Sequence, residues 1–267
     1  MTDIHPSSIV EPGAELASSV KIGPFCHIGR HVTLGERVEL LSHVAVAGRT
    51  EIGEGTRVFP FASIGHQPQD LKYKGEESRL LIGRNNTIRE QVTINPGTEG
   101  GGMITRIGDR CLLMVGVHVA HDCLLGNEVI MANNATLAGH VSVGDFAVFG
   151  GLSAVHQFVR VGQGAMVGGV TGVERDVIPY GSVLGDRARL SGLNLVGMQR
   201  HGFSRDEIQS MRAAYQMLFE GESGTFAERL ETVATRFAGV RPVEDVLRFI
   251  RAESTRGLVQ PKAGNGG

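Results

Sequence analysis

Large apolar side chains recur at every sixth position along much of the chain. The first series is Val10, Leu16, Ile22, Ile28, Leu34, Leu40, Val46, Ile52, Val58 and Ile64, continued in phase by Ile82, Ile88 and Ile94. One residue out of phase, a second series follows: Ile107, Leu113, Val119, Leu125, Met131, Leu137, Val143, Phe149, Val155, Val161, Val167 and Val173. This period fits neither an α-helix nor an alternating strand. It indicates hexapeptide repeats, in which three short strands and three corners form each coil of a parallel β-helix.

The position four residues after each aliphatic residue holds a small or compact side chain, which predicts that it fills a narrow corner of the coil. The cysteines Cys26, Cys111 and Cys123 all occupy this slot, so we expect them to be core residues and not reactive thiols. Other positions directly after the aliphatic residue hold glycine, for which we expect unusual backbone dihedral angles. These are Gly23, Gly29, Gly35, Gly53, Gly108, Gly126, Gly144, Gly162 and Gly168.

Two polar segments interrupt the repeat, at 66–80 and 96–105, and we expect both to protrude as loops. The repeat ends near Tyr180, so the β-helix is predicted to cover 1–188. A single coil needs 18 residues, three times six, and successive coils should stack about 4.8 Å apart.

The remainder, 189–267, is predicted to form a small helical domain. Ser204 and Glu207 have the spacing of a capping box at the start of a helix. Apolar residues then recur at helical spacing: Ile208, Met211, Tyr215 and Leu218; Phe226, Leu230, Val233 and Phe237; Val243, Val246, Leu247 and Ile250. We expect these helices to close the C-terminal end of the coils, and the tail after Arg256 to fray.

Composition excludes several functions. The 38 glycines follow no strict third-residue period, so the chain is not collagen-like. A net charge of −2 without a basic run argues against nucleic-acid binding, and no stretch approaches the ~20 apolar residues of a membrane helix. The N-terminal residues lack signal-peptide features, and three cysteines without paired spacing indicate a reducing compartment. We therefore expect a cytoplasmic protein.

Candidate chemistry is concentrated in histidines. Four of the ten lie close together in sequence: His118, His121, His140 and His156. Clustering alone fits surface histidines with local hydrogen bonds equally well. Stacking adds information, because Gly139 follows His121 by 18 residues and Gln157 follows Gly139 by 18. These three residues should therefore form one column on the outer wall.

Such a column suits acyl transfer to a hydroxyl group. A hydroxyl is a weak nucleophile at neutral pH, and the His121 imidazole is suited to remove its proton. Asp122 is placed to orient that imidazole. The backbone N–H of Gly139, which has no side chain to block it, is a candidate donor to the developing oxyanion.

Several motifs closely resemble the UDP-N-acetylglucosamine O-acyltransferase family of lipid A biosynthesis, and the similarity covers essentially the whole chain. They are DLKYKGE (70–76), HVAHDCLLGN (118–127), ANNATLAGHVSV (132–143), AVHQF (154–158), MVGG (166–169) and RHGFSR (200–205). The resemblance implies a left-handed β-helix. It also implies transfer of an (R)-3-hydroxyacyl chain to the glucosamine 3-OH of UDP-N-acetylglucosamine. The donor would be the phosphopantetheine of acyl carrier protein, and the enzyme itself would need no cofactor or metal.

The resemblance further implies a cytoplasmic homotrimer with active sites between subunits. It assigns His121 as base, Asp122 as its partner and Gly139 as oxyanion donor. Contacts to the sugar and diphosphate region would come from Asp70, Lys72, His118 and Gln157, with His140 and His156 nearby. Asn194 and Arg200 would approach the nucleotide. Gly169 stands where the family measures acyl length, and a glycine there predicts a long chain, about C14 rather than about C10.

The chain departs from the family at three places. Val196 stands where an acidic residue is common, His201 where a second arginine is common, and Asn95-Pro96 where His-Arg is common. We therefore expect the uridine contacts and the second loop to differ in detail.

Three other readings remain open. A γ-type carbonic anhydrase shares the coil architecture, but it needs three convergent imidazoles on zinc, and His118, His121 and His140 have unsuitable spacing. The related N-acyltransferase carries a separate domain before its coils, whereas repeats begin here by Val10. A non-catalytic scaffold would not need His121.

Four arginines of the helical domain form a candidate docking surface for acidic acyl carrier protein: Arg200, Arg205, Arg212 and Arg251. An ordinary solvated helix surface explains them slightly better. A carrier-protein KM that does not respond to charge reversal or to salt would reject docking.

Overall fold

Three sheets, parallel except for the final strand of one of them, form the walls of a left-handed β-helix. The hexapeptide period predicts the coil, and the family resemblance implies its left hand. The computed structural model describes residues 2–221 and 223–262. Sheet 1 contains β1 (Asp3–Ile4), β4 (Lys21–Ile22), β7 (Glu39–Leu40), β10 (Arg57–Val58), β13 (Thr87–Ile88), β16 (Leu112–Leu113), β19 (Ile130–Met131), β22 (Val148–Phe149), β25 (Met166–Val167), β27 (Gly181–Leu184) and β28 (Arg189–Leu193). Sheet 2 contains β2 (Ile9–Val10), β5 (His27–Ile28), β8 (Ala45–Val46), β11 (Ser63–Ile64), β14 (Thr93–Ile94), β17 (His118–Val119), β20 (Thr136–Leu137), β23 (Ala154–Val155) and β26 (Gly172–Val173). Sheet 3 contains β3 (Glu15–Leu16), β6 (Thr33–Leu34), β9 (Arg49–Ile52), β12 (Arg79–Ile82), β15 (Ile104–Ile107), β18 (Leu124–Leu125), β21 (Ser142–Val143) and β24 (Arg160–Val161).

The repeated aliphatic residues point into the prism, which confirms the sequence prediction. Ile28, Ile64 and Leu113 are fully buried, whereas Val10 and Leu16 in the first coil are only half-buried. The three cysteines are buried and free. Burial raises the pKa of Cys111 to about 11 and that of Cys123 to about 12, so neither thiol forms a reactive thiolate at neutral pH.

The corners are built differently from the prediction. We call them corner 1 (from sheet 1 to sheet 2), corner 2 (from sheet 2 to sheet 3) and corner 3 (from sheet 3 to sheet 1). None of the nine glycines that follow an aliphatic residue has a positive φ, so the predicted unusual dihedral angles are wrong. The left-handed residue comes two positions later, as at Phe25 (φ 59°) after Gly23. Gly23 is required for another reason: a Cβ there would lie 2.9 Å from the carbonyl of Leu41 in the next coil.

Both predicted loops leave the coil at corner 2. Loop 1 (65–78) follows β11, and loop 2 (95–103) follows β14 and contains a 3-10 turn at Glu99–Gly101. Each predicted segment ran two residues too far. Arg79 and Leu80 pair with Ile104 and Thr105 in sheet 3, so these residues belong to the coil.

The helical region begins later than predicted. Residues 189–193 form β28, which pairs antiparallel with β27. The helices follow: α1 (Leu195–Arg200), α2 (Arg205–Tyr215), α3 (Phe226–Arg236) and α4 (Arg241–Arg251), with a π-helical turn at Gln216–Glu220. The predicted capping box of Ser204 and Glu207 is present, and Thr225 and Glu228 form a second one. Among the described residues, no helix is long and apolar enough to cross a bilayer.

The C-terminal edge of the coils is covered by the β27–β28 hairpin and by the tail. Leu258 bridges to Asp176 and Pro261 to Leu190, while Val259 is 3% exposed. The prediction of a frayed tail is therefore wrong for 257–262, and its last part, 263–267, lies outside the described residues. The helices pack against the final coils through contacts such as the 2.6 Å hydrogen bond from the Tyr180 hydroxyl to Asp245.

Candidate active site

Corner 2 brings His121, Gly139 and Gln157 into one column, as the stacking of 18-residue coils predicts. The preceding strands pair in register, with His118 opposite Thr136 and Thr136 opposite Ala154. The contact between the first two members of the column is close. A Cβ added to Gly139 would lie 2.5 Å from Cε1 and 2.6 Å from Nε2 of His121. Only glycine leaves room for the imidazole here.

A buried carboxylate holds the His121 ring. Nδ1 of His121 lies 2.8 Å from Oδ2 of Asp122, and the Asp122 side chain is fully buried while that of His121 is 15% exposed. Asp122 also accepts hydrogen bonds from the backbone N–H and the hydroxyl of Thr98, at 2.8 and 2.6 Å. An ionised carboxylate can only accept, so Nδ1 of His121 is the donor in this pair. Nε2 therefore keeps its lone pair and is available as a base.

His140 completes a pair of imidazoles. Its ring lies perpendicular to that of His121 with centroids 5.0 Å apart, and it stacks on Phe158 at 4.4 Å. Its Nδ1 is 3.8 Å from the Asp122 carboxylate, too far for a hydrogen bond. Burial lowers the pKa of His140, although the Asp122 charge opposes this effect. The ring is therefore neutral at neutral pH, and the carboxylate bond belongs to His121.

Loop 1 and sheet 2 bring further predicted residues to this corner. Asp70 and Lys72 lie in loop 1, and their charges act in opposite directions on the pKa of His140: Asp70 raises it and Lys72 lowers it. Burial lowers the pKa of His118, whose Nδ1 lies 2.7 Å from the Thr93 hydroxyl. Two further members of the predicted site, His156 and Gln157, are exposed and lie together in the coil after that of Gly139.

Three predicted residues lie at other corners of the same chain. Gly169 is an exposed residue of corner 1, after β25. Asn194 caps α1 by accepting from the N–H of Gly197, and it donates to the carbonyl of Gly164 at corner 3. Arg200 is exposed at the end of the same helix. A single chain therefore does not unite these three residues with His121.

The chain is similar to known proteins over almost its whole length. Residues 176–259 match the family profile described as "Udp N-acetylglucosamine O-acyltransferase; Domain 2", and residues 104–139 match the bacterial transferase hexapeptide profile. A relative from Rhizobium johnstonii, named acyl-[acyl-carrier-protein]–UDP-N-acetylglucosamine O-acyltransferase, is 50% identical over 99% of this chain and 97% of its own. The chain belongs to the UDP-N-acetylglucosamine O-acyltransferase family.

Solved structures of UDP-N-acetylglucosamine acyltransferases agree with this assignment. One is 44% identical with a TM-score of 0.93, covering 98% of this chain and all (100%) of its own. The Campylobacter jejuni enzyme is 40% identical with a TM-score of 0.91, covering 97% of this chain and 100% of its own. The agreement covers the β-helix and the helical region alike.

Two of the three departures from the acyltransferase family motifs make visible contacts. His201 stacks on Phe146 with ring centroids 4.0 Å apart, whereas Val196 is 58% exposed and its substitution has no structural explanation. Asn95 donates from its side chain to the carbonyl of His66 at 3.0 Å and so ties loop 2 to the start of loop 1. The departure at Asn95 therefore joins the two loops that leave the coil at corner 2.

The same cluster of side chains can also be considered as a metal-binding site. Ligand-type atoms of His121, Asp122 and His140 lie within 4.8 Å of one another. This cluster of two imidazoles and a carboxylate does not contain His118, so the described residues do not bring three imidazoles together here. Both oxygens of Asp122 already accept hydrogen bonds. The contacts thus resemble an acid–base pair more than a carbonic anhydrase site, and zinc analysis of purified protein separates the two.

Sequence reasoning missed residues that support the site. Thr98 lies in loop 2, outside the repeat, so the stacking arithmetic does not apply to it. Thr105 accepts the backbone N–H of Asp122 at 2.8 Å and is fully buried. It occupies the small inward slot of its hexapeptide, one coil before Cys123. A polar residue in that slot, one coil before His121 and Asp122, was the signal that could have identified it.

Proposed function

We propose that this protein transfers a 3-hydroxyacyl chain from acyl carrier protein to the 3-OH of UDP-N-acetylglucosamine, the first step of lipid A biosynthesis. The observation that carries this proposal is the column at corner 2, in which Asp122 holds His121 with Nε2 free beside Gly139. The names of the relatives supply the donor and the acceptor. The test is an assay of purified protein with UDP-N-acetylglucosamine, its 3-amino analogue and a panel of 3-hydroxyacyl carrier proteins.

The reaction follows from the contacts of His121. Nε2 removes the proton of the sugar hydroxyl while its oxygen attacks the thioester carbonyl of the donor. The N–H of Gly139 donates to no acceptor within 2–221 and 223–262, and it is therefore available to the oxyanion of the tetrahedral intermediate. The intermediate collapses, the C–S bond breaks, and the imidazolium returns the proton to the thiolate of the carrier's phosphopantetheine. No cofactor of this chain takes part in these steps.

The polar residues around the column suit the acceptor. The charges of Asp70 and Lys72 in loop 1 act on the pKa of His140, and His118 lies in β17, three residues before His121 in the same coil. We assign the contacts to the sugar and diphosphate to these residues with His156 and Gln157. An aspartate orients sugar hydroxyl groups by accepting hydrogen bonds, and a lysine offsets phosphate charge.

We propose a homotrimer, the assembly that the family resemblance implies. Gly169, Asn194 and Arg200 can meet the catalytic corner only if another copy of the chain supplies them. A stripe of outward apolar residues on sheet 1 is a suitable contact surface: Leu112, Ile130, Val148 and Met166. In the single chain Ile130 is 37% exposed and Met166 is 38% exposed. Contact with a second copy would cover both side chains. Earlier coils of the same sheet present Lys21 and Glu39 instead.

The double change Ile130→Glu and Met166→Glu is expected to dissociate the trimer, because it places charges in an apolar contact. Sedimentation velocity should then give the mass of one chain, and activity should be lost. Lys21→Glu in an early coil is the matched control and should leave mass and activity unchanged. A dissociated double variant with full activity would contradict a shared site.

Gly169→Met is expected to shift donor preference from about C14 toward shorter chains. Gly169 is exposed and opens onto corner 1, so a long side chain there fills space that we assign to the end of the acyl chain. The loss for each displaced methylene should be about 0.8 kcal/mol, roughly fourfold. Competition between carrier proteins of different acyl length measures the shift. An unchanged preference would remove Gly169 from the acyl site.

The helical region is the candidate docking surface for the acidic carrier protein. Arg200, Arg205 and Arg212 are exposed, while Arg251 pairs with Glu231 at 2.8 Å and is less available.

Buried, free cysteines are consistent with a reducing cytoplasm.

A further inference from the structure

Loop 2 packs its backbone directly on the carboxylate of Asp122. Thr98, 4% exposed, donates its backbone N–H to Oδ1 and its hydroxyl to Oδ2. A Cβ on Gly101 would lie 1.9 Å from Cγ of Asp122, so the loop covers the carboxylate and excludes water from it. Within loop 2, the N–H groups of Gly101 and Met103 both donate to the Thr98 carbonyl, which fixes the threonine in place.

The Thr98 hydroxyl and His121 share one oxygen atom. Oδ2 of Asp122 accepts from Thr98 Oγ1 at 2.6 Å and from His121 Nδ1 at 2.8 Å. The two donors therefore fix the rotation of the carboxylate together. The second imidazole, His140, lies 3.8 Å from the same oxygen and would be the alternative partner if the carboxylate turned.

We infer that Thr98 is a positioning residue of the acyl transfer: its hydroxyl orients Asp122 toward His121 and thereby sets the basicity and direction of Nε2. The inference rests on the proposed function. It gives loop 2 a role in the reaction, in addition to its contact with the start of loop 1.

Thr98→Val removes the hydroxyl but keeps the backbone N–H and the side-chain volume. We expect kcat to fall about tenfold, the loss typical of one hydrogen bond to a charged group, with an unchanged KM for UDP-N-acetylglucosamine. A carboxylate that has lost a donor stabilises the imidazolium more strongly, so the acidic limb of the pH profile of kcat should move to higher pH. Thr98→Ser keeps both donors and should restore the rate and the profile. Thr33→Val, at an outward threonine of β6, is the control.

Two further measurements separate positioning from anchoring of the loop. In an Asp122→Ala background, Thr98→Val should cost almost nothing more, because its effect passes through the missing carboxylate. If Thr98→Val fails to fold, Thr98→Cys, a weak donor of the size of serine, takes its place and should fall below Thr98→Ser in kcat. A lower melting temperature with wild-type kcat and pH profile would overturn the inference. A wild-type protein without transferase activity would instead overturn the proposed function.

Discussion

His121→Ala is expected to lower kcat of acyl transfer by about 10²–10⁴-fold, the usual contribution of a general base. His121 donates through Nδ1 to a fully buried carboxylate while its own side chain is 15% exposed, so its Nε2 is oriented and can meet an acceptor hydroxyl. KM for UDP-N-acetylglucosamine should change little, because the sugar and diphosphate contacts are assigned to other residues. Steady-state assays over several pH values give both constants.

His31→Ala is the matched control, since His31 is an exposed residue of the same corner several coils earlier. Its activity and melting temperature should equal those of the wild type. If His121→Ala retains full activity, the mechanism is wrong, and the non-catalytic scaffold becomes the better reading. If purified protein contains stoichiometric zinc that His121→Ala loses, the cluster is a metal site.

Gly139→Ala is expected to lower kcat by at least about 10²-fold. The added methyl group would lie 2.5 Å from Cε1 of His121, well inside van der Waals contact, so the imidazole must move. A misplacement of about 1 Å at a reacting group commonly costs about 10²-fold in rate. Displacement also weakens the 2.8 Å bond to Asp122 and blocks the Gly139 N–H. The melting temperature should fall only slightly, because the side chain of His121 lies at the surface of the coil.

Gly29→Ala tests whether any glycine of this corner is equally sensitive. A Cβ on Gly29 meets its nearest atom, the Cα of Ala47, at 3.4 Å, an ordinary contact. We expect wild-type kinetics from this variant. An equal loss in both variants would point to general disturbance of the coil, and a fully active Gly139→Ala would remove Gly139 from the oxyanion site.

The coil architecture could be predicted from sequence because each hexapeptide makes the same local choice. A buried aliphatic residue every six positions, such as Ile28 or Leu113, specifies three walls without information from distant residues. The same regularity gave the column of His121 and Gly139 by counting alone. Helix caps are also local, and the box at Ser204 was predictable for that reason.

Errors arose where the contacts come from other coils. The glycines after the aliphatic residues, such as Gly23, were assigned to unusual dihedral angles, but the backbone of the next coil is what demands them. The tail at Val259 looked unstructured because its partners, Asp176 and Leu190, are distant in sequence. Loop 2 lies outside the repeat, so the hydrogen bonds of Thr98 could not be predicted from residue spacing.

By itself the sequence determined the walls, the register and the identity of the residues at each corner, because stacking at fixed period converts spacing in the chain into spacing in space. The sequence paired Asp122 with His121, but only the tertiary structure showed that His140 lies 3.8 Å from the same oxygen and that Thr98 holds the carboxylate. Orientation of a side chain depends on the atoms that surround it, and those come from loops and coils that a local pattern does not describe.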